Sequence, residues 1–423
     1  MAHTAASPPR PKVVIVTGPT GVGKSSVALS LAEALDGEIV CADSVQVYES
    51  LDIGSDKTPA LKRRGIPHHL LDILQPSDDF SAGMFVDLAR RAIADIHARG
   101  KTPIVEGGTG LYLQWLVHGK PDAPAGTLES AAAAKERCQQ AWEEAERSLG
   151  RQLDEDERWK VACDLVERLG GPDKAQRLRE EPNNVYRLHR AVEILLLRQM
   201  DGARDRDSRG PDAQPLDADS RCFFLARPRI DLYRRIDSRV EGMLAGGLLE
   251  ETVSMLCMGV APDANSAARA IGYRQTMEAL LTLAGRETLA TLQDLMNLAQ
   301  AIQSASRRFS HRQMTWFRSQ QGFAWLPVDP DPAATVRRIL QLVAQLPEES
   351  EAQGPDERLA HLSAEERQLM KRYTTQFDRL GAGRPEAEEV VQRLQNCVAQ
   401  VRQECGDLVE SWKKSREAEE VAQ

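Results

Sequence analysis

Gly18-Pro19-Thr20-Gly21-Val22-Gly23-Lys24-Ser25 decides the fold of this chain. The run fits G-x-x-x-x-G-K-[ST] at every fixed position. Ahead of it, Val13-Val14-Ile15-Val16 reads as a buried strand. After it, Ser26 to Leu35 reads as a helix with Val27, Leu31, Ala34 and Leu35 on one side. Strand, glycine loop and helix together make a phosphate cradle, because backbone N–H groups and the positive helix end converge on an anion. Lys24 adds a point charge for terminal phosphates, and the Ser25 hydroxyl can hold Mg²⁺. The motif defines a ligand class, phosphate or pyrophosphate, and leaves the reaction open.

Outward from this P-loop, residues 12–118 alternate strand and helix. Glu38 to Ala42 is a second strand, Phe85 to Arg99 an amphipathic helix, and Pro103-Ile104-Val105 a third strand that runs into Gly107-Gly108-Thr109-Gly110. Such alternation predicts an α/β fold, a P-loop parallel sheet covered by helices. Ligands in such sheets bind outside the carboxyl ends of the strands, where Asp43 also falls, placed for a general base or an outer ligand of Mg²⁺. Residues 122–200 read as an all-helical insertion domain, rich in Ala, Glu and Arg. The full division is a disordered N-terminus (1–11), the first part of the core (12–121), the insertion (122–200), a loop (201–220), a mostly helical core completion (221–330), a linker (331–362) and a helical C-terminal extension (363–423). In that extension, Ser363 to Leu380 and Glu386 to Ala418 read as two helices. Leu394, Val398, Val401, Cys405, Leu408 and Trp412 form a coiled-coil-like seam suited to packing on each other, on the core or on a partner.

Composition narrows the classes. The 423 residues are 42% hydrophobic, enough for a large core. No apolar run approaches the ~20 residues of a membrane span. Seven scattered cysteines without a C-x-x-C pair point to a reducing compartment and away from a zinc site. The polar, proline-rich start is unlike a secretory signal, so a cytoplasmic placement is expected, or an organellar one if a transit peptide precedes it. The net charge of −9 argues at first against nucleic acid. Residues 347–423 hold 17 acidic against 11 basic residues, however, and account for most of it. Elsewhere lie basic clusters: Lys62-Arg63-Arg64, Arg187 with Arg190, the run Arg227, Arg229, Arg234, Arg235 and Arg239, and Arg307, Arg308, Arg312 and Arg318. An RNA groove needs local positive potential, although each cluster alone also reads as a solvated helix face.

The ordered strings along residues 12–326 resemble those of the tRNA dimethylallyltransferases, also called tRNA isopentenyltransferases. They include the P-loop, Ala42-Asp43-Ser44-Val45-Gln46-Val47-Tyr48, Asp52-Ile53-Gly54-Ser55-Asp56-Lys57 and Pro67-His68-His69-Leu70-Leu71-Asp72. Further along come Gly107 to Tyr112, Pro182-Asn183-Asn184, Leu232 to Val240, Ala270 to Gln275 and Arg312 to Arg318. The resemblance implies transfer of the five-carbon group of dimethylallyl diphosphate to N6 of adenine 37 of tRNA. It implies that Gly18, Thr20, Gly21, Gly23, Lys24 and Ser25 hold the diphosphate, with Ser25 on Mg²⁺. Asp43 would be the base, Arg239 the clamp on the leaving diphosphate, and Thr109 a further residue of the catalytic pocket. Ser44, Gln46, Asp52, Lys57, Arg187, Arg190, Arg274, Gln275, Arg312 and Gln313 would contact the anticodon stem-loop carrying A36-A37-A38. Arg187 and Arg190 equally suit ion pairing with Glu193. His68 and His69 read as pocket or loop residues. A monomer is expected, with an unidentified partner one option for the terminal helices. Glu106 stands where the family pattern calls for an apolar residue, Asn184 where Asp is common, and Met200-Asp201-Gly202 in place of T-G. The alternatives are an adenylate isopentenyltransferase acting on AMP, ADP or ATP, a P-loop small-molecule kinase, and a non-catalytic RNA-binding scaffold.

Overall fold

The structure, a computed structural model, describes residues 10–78, 80–120, 128–180, 185–200, 214–345, 363–375 and 377–422. The expectations for residues 1–9, for Pro182-Asn183-Asn184, for most of the 201–220 loop and for residues 346–362 of the linker lie outside them. The described chain divides into a core unit, residues 1–117 with 216–423, and a helical unit, residues 118–215.

Strands β1 (Lys12–Thr17), β2 (Gly37–Cys41), β3 (His68–His69), β4 (Thr102–Glu106), β5 (Asp219–Ala226) and β6 (Phe323–Pro327) form a parallel sheet in the order β3-β2-β4-β1-β5-β6. The β-branched run Val13 to Val16 is fully buried, as a central parallel strand covered on both faces must be. Register places Val16 beside Glu106 and Thr17 beside Phe224, while Cys41 lies beside Glu106 from the other side. Strand β4 therefore runs between the strand that feeds the P-loop and the strand that feeds Asp43. Helices α1 (Lys24–Ala34), α2 (Ala82–Ala98) and α3 (Gly110–His118) complete the first part of the core. The Ser81 hydroxyl caps α2 by accepting from Met84 N at 3.2 Å. Phe85 of α2 then stacks on Tyr112 of α3 with ring centroids 4.5 Å apart.

The helical unit contains α4 (Leu128–Leu149), α5 (Glu155–Arg168), α6 (Pro172–Glu180) and α7 (Val185–Met200). It has its own core of Cys138, Cys163, Val166, Leu178, Leu188 and Val192 among others. Asp154 and Glu157 form a reciprocal capping box at the start of α5. Its outer edge is marked in the core unit, where Leu216 N–H donates to the Val117 carbonyl at 3.2 Å.

After β5 come α8 (Arg229–Gly246), α9 (Leu248–Cys257), α10 (Tyr273–Ala284), α11 (Leu292–Arg318) and α12 (Pro332–Ala344). Helix α12 corrects the linker expected over 331–362. Asp331 caps it through Ala333 N at 3.0 Å, proline starts it, and Val336, Ile339 and Val343 bury its inner face. The extension differs from two long helices. It forms Ala364–Lys371, Pro385–Glu404 and Gly406–Ala422, with the last two separated at Cys405 just before Gly406. Its seam is spent on the core: Leu394, Val398, Val401 and Cys405 are buried in the main hydrophobic cluster, where Pro385–Glu404 packs on α9, α10 and α11. Polar anchors reinforce this. The Glu241 carboxylate of α8, itself fully buried, accepts from the backbone N–H of Asp378 (3.2 Å), Arg379 (2.8 Å) and Leu380 (2.8 Å). Arg393 donates to Glu250 at 2.7 Å and to the Ala245 carbonyl at 2.6 Å. Tyr373 OH donates to Asp237 at 2.6 Å.

Candidate active site

The P-loop leaves β1 through three glycines with positive φ: Gly18 at 151°, Gly21 at 81° and Gly23 at 104°. A Cβ on Gly18 would stand 2.6 Å from the Leu225 carbonyl, so close approach and conformation both demand glycine there. Lys24 and Ser25 open α1 with their side chains toward the carboxyl end of β4. Ser25 Oγ donates to Glu106 Oε1 at 3.3 Å, and Lys24 Nζ to the Pro19 carbonyl at 3.4 Å. Burial lowers the Lys24 ammonium, against the opposing pull of Glu106 and Asp43. Burial raises the Glu106 carboxyl, with Lys24 pulling the other way.

Asp43 lies just beyond β2. Its Oδ1 accepts from Val45 N at 2.8 Å and from Gln46 N at 3.3 Å, which fixes the carboxylate as the cap of a turn. Arg239 comes from α8. Its Nη2 donates to Thr20 Oγ1 at 2.6 Å and its Nη1 to Asp56 at 3.0 Å. Its Nε is buried and has no acceptor among the described residues, which leaves a donor for an anion in the loop. Thr109, half-buried, stands at the start of α3 beside Gly108. The structure thus gathers Gly18, Thr20, Gly21, Gly23, Lys24, Ser25, Asp43 and Arg239 around one loop.

Two residues expected on RNA serve as internal braces. Gln313 of α11 is buried; its Oε1 accepts from Thr20 N at 2.9 Å and its Nε2 donates to the Gly108 carbonyl at 2.9 Å. Both ends of the amide are spent tying the P-loop to the loop after β4. Lys57 is likewise buried, and its ammonium donates to the Tyr48 carbonyl, Asp52 and Asp72. Three donors with three acceptors leave none for a phosphate. Gln275 Oε1 accepts from Gly272 N at 2.8 Å and serves the start of α10. Arg274 is exposed and pairs with Asp263 and Glu278, both at 3.0 Å. Ser44 and Gln46 are half-buried beside Asp43, and Gln46 donates to the Ser55 carbonyl at 3.1 Å. Asp52 keeps its carboxylate largely exposed despite pairing with Lys57 at 2.9 Å. In the helical unit Arg187 is exposed, and Arg190 pairs with Glu193 at 2.5 Å. His68 and His69 lie in a strand, not a loop. They form β3, where His69 Nε2 meets Glu38 at 2.8 Å.

Arg312 is exposed and stacks over Phe309 at 5.8 Å. With Tyr233, Ser304, Arg307, Arg308 and His311 it lines a cavity of about 490 Å³. Arg307 is not a free cation of that cluster, because it pairs with the buried Asp237. Sequence reading gave no role to three further residues. Arg235 and Arg227 donate to the Gly21 (3.1 Å) and Val22 (2.9 Å) carbonyls and hold the outer side of the P-loop. Glu251 of α9 accepts from Asp52 N (2.9 Å), Ile53 N (2.7 Å) and Gly54 N (3.1 Å), which sets the loop that carries Asp56. The basic run hinted at the two arginines; nothing in the local sequence marks Glu251.

Among the described residues no group of three or more His, Cys, Asp or Glu could hold a metal ion. The donors at the P-loop are hard oxygens, Ser25, Asp43 and Glu106, which suit Mg²⁺ that keeps most of its water and leans on phosphate oxygens. No helix among the described residues is long and apolar enough to cross a membrane.

The chain matches the IPP transferase family over residues 46–320. It is 42% identical to tRNA dimethylallyltransferase 9 of Arabidopsis thaliana over 346 residues, which cover 74% of this chain and 71% of that one. It is 40% identical to tRNA dimethylallyltransferase 1 of Trichlorobacter lovleyi, covering 77% and 97% of the two chains. The crystal structure of the Bacillus halodurans tRNA isopentenylpyrophosphate transferase superposes with a TM-score of 0.52 at 30% identity, over 79% of this chain and 95% of that one. On the P-loop geometry and these matches together, the chain belongs to the IPP transferase family, the tRNA dimethylallyltransferases.

Proposed function

We propose that this protein transfers the dimethylallyl group of dimethylallyl diphosphate to N6 of adenine 37, beside the anticodon of tRNA. The observation that carries the reading is Arg239, seated on Thr20 of the P-loop with its Nε unmet, in the same site as the carboxylate of Asp43. The P-loop backbone and Lys24 bind the diphosphate, and Ser25 would hold Mg²⁺, which would neutralise charge on the leaving group. The exocyclic N6 attacks C1 of the prenyl group as the C1–O bond to diphosphate breaks. Asp43 takes the N6 proton, and Arg239 stabilises the diphosphate as its charge grows. N6 is a weak nucleophile because its lone pair is delocalised into the ring, so both ends of the displacement need help. The adenine must leave its stack to reach the site. Arg308 and Arg312, exposed on α11, are suited to phosphates of the stem-loop.

The test supplies labelled dimethylallyl diphosphate and Mg²⁺ with an A36-A37-A38 stem-loop and, separately, with AMP and ATP. Label on the stem-loop is expected; label on free nucleotides alone refutes the RNA substrate. Asp43→Ala should keep stem-loop affinity and lower turnover by at least about 100-fold, the low end of what a positioned base supplies. Unchanged turnover removes Asp43 as the base.

A further inference from the structure

Glu106 is a buried carboxylate at the heart of the site to which the mechanism above gives no task. Its surroundings differ from those of the other buried acids. Glu38 has Arg99 and His69, Asp237 has Arg307 and Tyr373, Glu193 has Arg190, and Glu241 has three backbone amides. Glu106 has the Ser25 hydroxyl, at 3.3 Å, and no ion-pair partner within 4.0 Å among the described residues. The Lys24 ammonium also acts on it, from beyond ion-pair distance. A carboxylate removed from water with one hydrogen-bond donor and no cation in contact is costly unless a cation joins it. Its place in the sheet is equally specific. It ends β4, in register with Val16 on the P-loop side and Cys41 on the Asp43 side. Backbone bonds hold the turn there: Ala42 N donates to the Glu106 carbonyl at 2.6 Å, and Gly107 N to the Val16 carbonyl at 3.3 Å. In P-loop NTPases the cation beside the loop hydroxyl has a second protein partner, an acidic side chain.

We propose that Glu106 is a positioning residue of the divalent-cation site, acting through the Ser25 hydroxyl and through water of the cation's own shell. This rests on the reading of the P-loop as a diphosphate site. It assigns a task to the residue that departs from the family's apolar pattern at this position. Glu106 orients the Ser25 oxygen toward the cation, and its charge offsets part of the cation's once the diphosphate is bound.

The experiment measures Mn²⁺ affinity by electron paramagnetic resonance in the presence of inorganic pyrophosphate, with neither prenyl donor nor RNA. Wild type, Glu106→Gln, Glu106→Asp, Ser25→Ala and the Glu106→Gln/Ser25→Ala double variant are compared, with pyrophosphate affinity in EDTA as the metal-free reference. Glu106→Gln should weaken Mn²⁺ about 10- to 100-fold, the usual cost of an outer-shell partner. Metal-free pyrophosphate affinity should stay level or rise. The double variant should be no worse than Ser25→Ala alone, because the two act as one unit. Glu106→Asp keeps the charge and should fall between; it also serves should the Gln variant not fold. Unchanged Mn²⁺ affinity in Gln and Asp variants, or additive losses in the double variant, overturns the proposal. Wild type that binds no Mn²⁺ with pyrophosphate overturns the diphosphate reading itself and this proposal with it.

Discussion

Glu241→Ala is the sharpest test of whether the C-terminal extension is part of the enzyme core. The substitution removes one buried carboxylate and leaves the N–H groups of Asp378, Arg379 and Leu380 without an acceptor. Hydrogen bonds to a charged group contribute roughly 1.5–3 kcal/mol each, and an unmet buried donor costs roughly 1–3 kcal/mol. Only the Leu380 N–H is buried, Asp378 and Arg379 being exposed and open to water, and three bonds on one oxygen pair do not add fully, so about 4 kcal/mol is a fair total. Unfolding entropy of about 2.1 cal/mol/K per residue makes that a fall in Tm of about 4–5 °C for a chain of this size. The loss should also be local. Hydrogen exchange of amides 378–401 should accelerate by on the order of a hundredfold or more, while those of β1 and β4 keep their protection. Scanning calorimetry and exchange mass spectrometry on the full chain measure both. A Tm within about 1 °C of wild type, with the extension's amides still protected, would refute the anchoring argument.

Three other outcomes follow from the geometry. Gly108→Ala places a Cβ 2.4 Å from Gln313 Nε2, so it should push Gln313 off Thr20 and weaken pyrophosphate binding in calorimetric titration; unchanged affinity would show that the brace does not shape the loop. Arg99 holds the Glu38 carboxyl at about 2, well below its usual 4.5, so Glu38 stabilises the fold fully above about pH 4.5 and less as pH falls toward 2. Glu38→Gln should flatten the acid limb of a stability–pH curve over that window, and a curve of unchanged slope would count against the Arg99 pairing. Arg308→Ala and Arg312→Ala should each lower the salt dependence of stem-loop binding by about one unit of log–log slope, whereas Lys57→Met should leave it alone and lower Tm instead.

The sheet and its P-loop were legible because the signal is local: glycines at fixed spacing, a β-branched run before them, a helix after. The edge strand β3 was not, since two histidines carry no alternating pattern and acquire strand geometry by pairing with Ile39 and Val40. The bracing by Gln313 and Lys57 was illegible for a related reason. Their motifs signal importance, but sequence gives no sign that both ends of the Gln313 amide meet partners 293 and 205 positions away, or that the Lys57 ammonium turns inward onto Tyr48, Asp52 and Asp72. The terminal seam showed that an apolar face needed cover without saying what covers it. Helix α12 was overlooked within a segment that elsewhere reads as a linker, although the Asp-Pro start signal was present.

The bond between Leu216 and Val117 has a consequence for how such a chain is made and changed. Nearly a hundred residues leave and rejoin the core at a single point, so β5 must find β1 across a long excursion. A wide loop costs only logarithmically more to close than a narrow one, so the length of the excursion adds little to that cost. The same junction lets insertions and deletions accumulate between residues 118 and 215 without shifting the register of a single strand. Heredity can thus revise the helical module while the phosphate loop stays in place.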